Sequence, residues 1–422
     1  MKTNNSTIRM RHDGSIDLEQ LKIHIIKLIT VKETDAPVLS FYLNMESKYR
    51  NELVHRVQVL RNSLLRDERL SFEEALSKIE GFLASDILPG TKGVAVFARG
   101  GSCPFIIPLQ FKVPLPNSMG IDLTPNIYEL VELKDRYHRY VVMISTEEYA
   151  RILEVNIGAI TKELWSKIPE LNQRVGREWT RDHYQNHRRD RGDRFIKEKI
   201  HILDNLMTEG GHTHLILAGK PWITARVREA LPKRLSSKLF DIVPAAIGAK
   251  SSDIVAVTLA RFITQEERES ENAAALLLKQ IRTMGPAVAG TTATLKALEQ
   301  GQVDMLIMAD TYSPQSGWGC RNCGKMGERP NQPVQCPRCK GRHIREVDLK
   351  EEMVRLSERH STAFELVRHS GILKKLGGVG CLLRYARYDQ VIGMDMEDGG
   401  DQVIPPTRHH GRYPSPSRPG RV

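Results

Sequence analysis

Apolar residues along the chain follow two spacings, and these spacings predict a succession of helices and strands. Near the start, four apolar residues recur at the spacing of one helix face and predict a helix over residues 17–32. They are Leu18, Leu21, Ile25 and Leu28. Unbroken apolar runs bounded by Gly, Pro or polar residues predict strands instead. Such runs occupy residues 38–43, 93–97 and 105–107, and a second helical pattern covers 53–64.

The middle of the chain shows the same alternation. Three β-rich segments at short spacing predict a meander, a long helical pattern ends at Gly210 and Gly211, and an apolar run after it predicts a buried strand. These segments are residues 140–145, 150–155 and 159–161, followed by 195–207 and 214–218. The middle of the chain is therefore predicted to be α/β.

The last third continues with a helix from about Asn272 that is rich in alanine and leucine. Further helices are predicted at residues 294–300 and 349–359, and strands at 305–308, 363–367 and 378–385. Beyond Ala386 the chain is acidic and then rich in Pro, Ser, Arg and His, with no apolar periodicity to offset the entropy of ordering it. We predict a disordered tail over residues 386–422.

A chain of 422 residues exceeds the size at which one hydrophobic core usually keeps growing. We predict three α/β domains, over residues 15–135, 136–270 and 271–385. No apolar run approaches the roughly 20 residues that cross a bilayer. The polar start of the chain lacks the apolar core of a secretory signal, and Cys103 and Cys381 are isolated in sequence. These observations predict a monomeric, soluble protein of the reducing cytoplasm.

The chain is basic overall. Its 62 Lys and Arg residues outnumber 51 Asp and Glu residues and give a formal net charge of +11. A basic excess favours a polyanionic partner through counterion release. Nucleic acid is the first candidate for that partner, and an anionic membrane surface is the second.

Two Cys-x2-Cys pairs carry the most specific chemistry in the sequence. Cys320 and Cys323 form the first pair, and Cys336 and Cys339 form the second. Four thiolates in this spacing suit one tetrahedral zinc ion, and a site closed by four protein ligands is structural because it leaves no open position for substrate. We predict one structural Zn²⁺ per chain, in a zinc ribbon over residues 318–345. Two disulfides, a chance cluster, or His343 in place of one sulfur are the alternatives.

A basic segment with interleaved aromatic residues lies in the middle of the chain. Arginine forks can pair with phosphates, and both arginine and aromatic rings can stack on unpaired bases, so the segment suits RNA. Nearby aspartates and glutamates make a solvated helix start with internal ion pairs an equal alternative on composition alone. The candidate RNA-binding residues are Arg174, Arg177, Trp179, Arg181, His183, Tyr184, His187, Arg188, Arg189, Arg191 and Arg194, and Lys197 and Lys199 complete the basic set.

Other histidines and basic residues carry weaker signals. His183 and His187 would share a helix face, as metal pairs do, but the sequence offers no third ligand, so RNA contact or surface placement is favoured. The basic residues Lys233, Arg234 and Lys238 are more typical of a solvated helix end. His360 and His369 are interpreted as ordinary surface or partly buried histidines.

The sequence resembles the archaeal and eukaryotic class-one peptide release factors and their relative Pelota, including divergent bacterial members. The motif Thr294-Leu-Lys-Ala-Leu-Glu299 with the strand after it, and Gly377-Gly-Val-Gly-Cys-Leu-Leu-Arg-Tyr385, are similar to the last domain of that family. Leu215-Ile-Leu-Ala-Gly219 after a basic helix is similar to its middle domain, and Leu39-Ser-Phe-Tyr-Leu-Asn44 to its first domain in bacteria.

The resemblance implies a three-domain α/β architecture with a ribonuclease-H-like middle domain and a zinc ribbon inserted in the C-terminal domain. It also implies that the basic segment faces ribosomal RNA, which favours the RNA interpretation, and that the last domain docks an elongation-factor-like GTPase. Members that terminate translation carry a Gly-Gly-Gln tripeptide before the long middle-domain helix. This chain has none, and Gln173, preceded by Asn172, is the one glutamine near that position.

These inferences converge on a ribosome-binding factor that occupies the decoding site without releasing peptide, in ribosome hibernation or rescue. Pelota also lacks the hydrolytic tripeptide, and a bacterial member of the family occupies the decoding site of idle ribosomes. Two other functions stay open. One is a peptidyl-tRNA hydrolase that uses a divergent loop over residues 171–184, and the other is a zinc-ribbon RNA-binding protein that does not act on ribosomes.

Overall fold

The structure is a computed structural model. It describes residues 6–10, 16–47, 49–64, 66–147, 149–167, 181–246, 248–329, 332–368 and 370–385. The predicted tail lies outside these residues, as do Gln173 and His369. None of the described helices is long and apolar enough to cross a membrane.

The first part of the chain forms five strands and four helices. Their bounds are β1 (Ser6–Met10), α1 (Leu18–Ile29), β2 (Val38–Asn44), α2 (Tyr49–Ser63), α3 (Arg66–Ser85), β3 (Gly93–Arg99), β4 (Phe105–Phe111), β5 (Ser118–Asp122) and α4 (Tyr128–Arg136). Four of the strands make an antiparallel sheet in the order β4-β3-β2-β5. The helices and strands predicted in this region are confirmed.

Four elements of this region were not predicted: β1, α3, β5 and α4. Helix α3 places Phe72, Leu76 and Ile79 on one side, where they are buried against the β2 and β3 side chains. Its apolar spacing is helical, but the charged residues between hide the pattern. Strand β5 follows a Pro-rich stretch that reads as a break, and it pairs with the edge of β2.

The middle part supplies five more strands and four helices. Their bounds are β6 (Tyr140–Ser145), β7 (Tyr149–Asn156), β8 (Ala159–Lys167), α5 (Arg181–Glu209), β9 (His214–Gly219), α6 (Pro221–Ala230), α7 (Lys233–Ser236), β10 (Leu239–Pro244) and α8 (Ser251–Arg282). The sheet order is β1-β8-β7-β6-β9-β10. An antiparallel meander of β6, β7 and β8 is followed by β9 and β10 parallel to β6, which is the ribonuclease-H-like arrangement that was predicted.

Alternate side chains of β6 explain how this sheet is covered on both faces. Val141 and Met143 join the apolar cluster that contains Ile200 of α5. Val142 and Ile144 point to the opposite face and join the cluster that contains Phe262 of α8. Helix α8 begins at Ser251 and runs without a break to Arg282, so the start predicted near Asn272 is wrong by more than five turns.

The last part contains one α/β sheet and one small inserted sheet. Their elements are β11 (Ala287–Ala289), α9 (Thr291–Glu299), β12 (Val303–Ala309), β13 (Gly317–Cys320), β14 (Met326–Glu328), β15 (Ile344–Val347), α10 (Leu349–Arg359), β16 (Ala363–Val367), α11 (Gly371–Lys375) and β17 (Val379–Leu383). The larger sheet has the order β11-β17-β12-β16, and the inserted one β14-β13-β15. The insertion lies between β12 and α10, as the predicted ribbon does.

The chain divides into two compact units. Among the described residues, one unit joins the segment up to Leu18 to Tyr137–Ile263, and the other joins Glu19–Arg136 to the residues from Thr264 to Tyr385. The second unit therefore contains both the β4-β3-β2-β5 sheet and the β11-β17-β12-β16 sheet. Within this unit, α4 packs against α10 and β16. The three predicted domain ranges stay a prediction.

Candidate functional site

The four cysteines of the ribbon lie at two loops with the same hydrogen-bond pattern. In each loop, the residue after the second cysteine donates its backbone N–H to the carbonyl of the first cysteine. The first cysteine donates its own N–H to the carbonyl of the residue that lies two positions after the second cysteine. The four bonds are Gly324 to Cys320 at 2.9 Å, Lys340 to Cys336 at 2.9 Å, Cys320 to Lys325 at 2.9 Å and Cys336 to Gly341 at 2.8 Å.

A left-handed residue closes each loop. Gly324 has a φ of 69° and Lys340 a φ of 59°. Glycine adopts this conformation without a Cβ clash, whereas lysine adopts it at a cost of about 1–2 kcal/mol. The two loops thus reach the same geometry, one with the residue that favours it and one without.

The sulfur positions fit one tetrahedral metal ion. The Sγ atoms of Cys320 and Cys339 are 3.5 Å apart, as are those of Cys323 and Cys336, and all four lie within 4.8 Å of one another. A disulfide needs about 2.05 Å, and all four thiols are free. Four sulfurs at about 2.3 Å from a zinc ion would be separated by roughly 3.8 Å. The distances therefore exclude disulfides within this cluster and leave room for a metal.

Backbone donors favour the ionised form of one of these thiols. Burial raises the pKa of Cys336, but the N–H groups of Cys339 and Arg338 donate to its sulfur, and with the neighbouring thiols they lower the pKa to about 6. A thiolate is the form that binds a metal. His343 is exposed and is not a member of the cluster, so the four-cysteine set is the one that the structure brings together.

The candidate RNA-binding residues fall mainly on α5. Of the eleven, Arg174, Arg177 and Trp179 lie outside the described residues. Seven others lie on the first turns of α5, where the backbone is described but the side chains are not: Arg181, His183, Tyr184, His187, Arg188, Arg189 and Arg191. Arg194 is on the same helix and is exposed. Their role in RNA binding stays a prediction.

The interpretation of Lys199 as a surface charge is wrong. Its side chain is 1% exposed, and its Nζ donates to Ser145 Oγ at 3.1 Å and to the carbonyl of Thr146 at 3.2 Å. The ammonium group also lies 3.9 Å from the ring centroid of Phe195. Burial, and then the charge of Arg226, lower the pKa of Lys199 to about 7. The basic surface of α5 therefore ends before this residue.

An ion pair ties α5 to the neighbouring helix. Arg226 of α6 lies 2.6 Å from the carboxylate of Asp193, so this acidic residue is paired outside its own segment. At the start of α6, Trp222 is 47% exposed beside the exposed Lys220. Sequence analysis overlooked Trp222. Its position directly after the β9 strand, with proline before it, is a signal that could have found it.

The second basic group behaves as a helix end. Arg234 pairs with Asp204 of α5, and Lys238 donates to the carbonyl of His212 at 2.6 Å. Two of the three basic residues are thus used within the fold, which fits the solvated helix end that the sequence favoured.

The sequence comparisons point to one family. Residues 125–262 match the model of a family described as "Bacterial archaeo-eukaryotic release factor family 10". This segment covers β6 to β10, including α5, and the first part of α8. No curated protein matches the sequence.

The solved structures that are similar are distant in sequence. An archaeal translation termination factor, aRF1, is 17% identical over 89% of this chain and 100% of its own, with a TM-score of 0.25. Archaeoglobus fulgidus Pelota is 11% identical over 90% and 95%, with a TM-score of 0.35. Saccharomyces cerevisiae Dom34, described as a translation termination-like factor that interacts with Hbs1, is 10% identical over 92% and 96%, with a TM-score of 0.40.

Proposed function

We propose that the chain belongs to the superfamily of archaeo-eukaryotic release factors and Pelota, and that it is a ribosome-binding translation factor. In the finer form of the proposal, it occupies the decoding site without releasing peptide, in ribosome hibernation or rescue. The observation that carries the proposal is the family match over residues 125–262, which contains the basic helix α5.

The charge and composition of α5 support ribosomal RNA as the partner. Its first turns carry the arginines, histidines and tyrosine of the candidate set, and Arg194 is exposed. Phosphate contacts by arginine fix a protein on RNA without reading sequence, and aromatic rings stack on bases of any type. Trp222, exposed on α6, is a further candidate for stacking on a base.

The missing tripeptide supports binding without release. Ester hydrolysis needs a water held against the carbonyl and a backbone that approaches the transfer-RNA end closely, which two consecutive glycines permit. Here Asn172, Arg174 and Val175 surround Gln173. Misplacing the attacking group by an ångström costs on the order of a hundredfold in rate.

The partners follow from the same membership. We propose a translational GTPase as the partner of the C-terminal domain, a protein contact for the zinc ribbon, and a cytoplasmic location. The three predicted domains would act as a decoding-site domain, an RNA-facing middle domain and a GTPase-binding domain.

Cosedimentation with ribosomes tests the RNA surface. Changing Arg188, Arg189 and Arg191 to Glu should weaken binding strongly, and wild-type binding should fall steeply as salt rises, because phosphate contacts release counterions. The matched control changes three exposed basic residues of the other unit, Lys279, Arg282 and Lys296, to Glu. Both triple variants carry the same change in net charge. Equal loss of binding in the two variants would contradict the assigned surface.

A release assay with peptidyl-tRNA-loaded ribosomes separates the proposal from the hydrolase alternative. We expect the factor to bind while the ester stays intact, with and without a stop codon. Rapid release that disappears in Gln173→Ala would replace the proposal with a peptidyl-tRNA hydrolase. RNA binding without any cosedimentation would favour the zinc-ribbon RNA-binding protein.

A further inference from the structure

A cavity of about 210 Å³ lies inside the second compact unit, between the end of α1, the start of α4, the ribbon and α10. Its charged lining consists of four arginines and two glutamates: Arg321, Arg345, Arg355, Arg359, Glu33 and Glu352. The remaining lining residues are uncharged side chains or glycines, apart from the thiol of Cys320. The side chains around the cavity therefore carry two more positive than negative charges.

The two glutamates are already shared among three of the arginines. Glu33 lies 2.8 Å from Arg345 and 3.8 Å from Arg321. Glu352 lies 3.0 Å from Arg345 and 3.8 Å from Arg355. Each contact at 3.8 Å is longer than a hydrogen bond. Asp122, which does not line the cavity, adds a third carboxylate 3.7 Å from Nη1 of Arg345. The acidic groups thus gather around Arg345 and leave the charges of Arg321, Arg355 and Arg359 incompletely compensated.

Buried guanidinium nitrogens support the same conclusion. Arg355 is 4% exposed, and its Nη2 donates to Thr124 Oγ1 at 2.9 Å and to the carbonyl of Pro125. Its Nε and Nη1, together with Nη1 of Arg345, have no hydrogen-bond partner among the described residues. A buried donor without a partner destabilises the fold, and a charged one does so more strongly. The arrangement is therefore costly unless something anionic compensates it.

We propose that this cavity binds the phosphate group of a small ligand. A phosphate monoester carries nearly two negative charges, which matches the excess charge of the lining, and its oxygens pair with planar guanidinium forks. A volume of about 210 Å³ is below the roughly 300–1,000 Å³ of sites for drug-sized ligands. The phosphate and a small attached group fill it. Exposed Arg321 and Arg359 would meet the ligand first, and Arg345 and Arg355 would hold the inner oxygens.

A competing explanation is that the arginines only balance the negative charge of metal-bound thiolates, since Cys320 is part of the lining. In that case removing an arginine would weaken metal retention, and phosphate would have no effect on the protein. The two explanations therefore predict different results for the same variants.

The test is titration calorimetry on the full-length, zinc-loaded protein without ribosomes, at an ionic strength held constant with potassium chloride. Inorganic phosphate is the first probe, and ribose 5-phosphate and adenosine monophosphate distinguish the possible attached groups. We expect saturable binding of at least one probe and a rise in melting temperature with its concentration. Arg321→Ala and Arg359→Ala should each weaken this binding at least tenfold.

Arg342→Ala is the matched control, because Arg342 is an exposed ribbon arginine that does not line the cavity. It should bind the probes as the wild type does. Zinc content measured on every variant shows whether the ribbon is intact. No saturable binding of any probe, equal binding in wild type and both cavity variants, or loss of zinc in Arg321→Ala with no phosphate effect in the wild type would overturn the proposal. Because ribosomes are absent from this experiment, its failure would leave the proposed function untouched.

Discussion

The carboxyl group of Glu351 accepts a hydrogen bond from the backbone N–H of Ile127, with 2.8 Å between Oε2 and N. It also lies 3.2 Å from the N–H of Tyr128, the first residue of α4. The first N–H groups of a helix have no partner within the helix. A side chain of α10, more than two hundred residues away in sequence, therefore caps α4.

Removing this cap should destabilise the second unit. We expect Glu351→Ala to lower the free energy of unfolding by about 1–3 kcal/mol, because it leaves two buried N–H groups without acceptors. Glu351→Gln keeps one acceptor oxygen and should lose less. Urea unfolding compares the two variants. If Glu351→Ala unfolds at the same urea concentration as the wild type, the contact does not stabilise α4.

The same residue predicts a dependence on pH. Burial raises the pKa of Glu351 to about 8, and the hydrogen bond from Ile127 offsets this only in part. The folded protein then holds the proton more tightly than the unfolded chain, whose glutamate pKa is about 4.5. The stabilisation is complete below pH 4.5 and is lost as the pH rises towards 8. Glu351→Gln should flatten this part of the unfolding profile, whereas Glu80→Gln, at an exposed position of α3, should not.

Metal removal should act on the ribbon. We expect about one zinc per purified chain, and Cys323→Ser should lose it and disorder β13 to β15. Elemental analysis and melting curves with and without a chelator measure both effects. Cys103→Ser is the control, since this exposed cysteine lies outside the cluster. A protein that contains no metal and melts identically with a chelator would contradict the zinc assignment.

The two left-handed residues of the ribbon predict opposite effects on metal affinity. A Cβ at Gly324 would meet nothing within 4 Å, so Gly324→Ala tests backbone conformation alone and should cost about 1–2 kcal/mol. Lys340→Gly should remove a similar strain and leave affinity equal or higher. Competition with a chromophoric chelator measures the zinc affinity of both variants. Weaker zinc binding in Lys340→Gly would show that the lysine side chain matters more than its conformation.

His212 predicts acid sensitivity in the first unit. Neither ring nitrogen has a hydrogen-bond partner among the described residues. Burial, followed by the charges of Arg139, Lys238 and Lys162, lowers the pKa to about 4. Because the unfolded chain binds this proton near pH 6.5, stability is lost as the pH falls from 6.5 towards 4. The full loss is on the order of 3 kcal/mol.

His212→Leu should reduce that loss, while His201→Leu, at an exposed position of α5, should not. Hydrogen exchange of the β6 and β9 amides at pH 4.5 and 7, corrected for intrinsic rates, measures it. Equal acid sensitivity in wild type and His212→Leu would assign the effect to other groups.

Local patterns in the sequence were sufficient for the elements whose burial follows a regular spacing. The four residues of the predicted apolar face of α1 are buried, and the two cysteine pairs gather as their spacing predicts. Helix α8 shows where local patterns fail. Its charged stretch between Gln265 and Asn272 resembles a linker, although Phe262 and Leu277 on either side are both fully buried.

Contacts between distant residues could not be predicted. Nothing near Glu351 in sequence indicates that it caps α4, and the ion pair of Arg345 with Glu33 joins residues far apart in sequence. Lys199 was misjudged for a similar reason. Lys197 and Glu198 precede it in sequence, but the hydroxyl, carbonyl and ring that contact its ammonium group come from β6, the residue after β6 and the preceding turn of α5.

The inserted sheet of the ribbon begins at Gly317 and ends at Val347, and these two residues pair with each other. Because the insertion begins and ends at neighbouring positions, β12, α10 and β16 can pair and pack while the metal is absent and β13 to β15 are disordered. A newly synthesised chain would then fold its C-terminal α/β core before it binds zinc, and the zinc supply would determine only when the inserted ribbon folds. We therefore expect zinc-starved cells to contain a protein with a formed core and an unfinished ribbon.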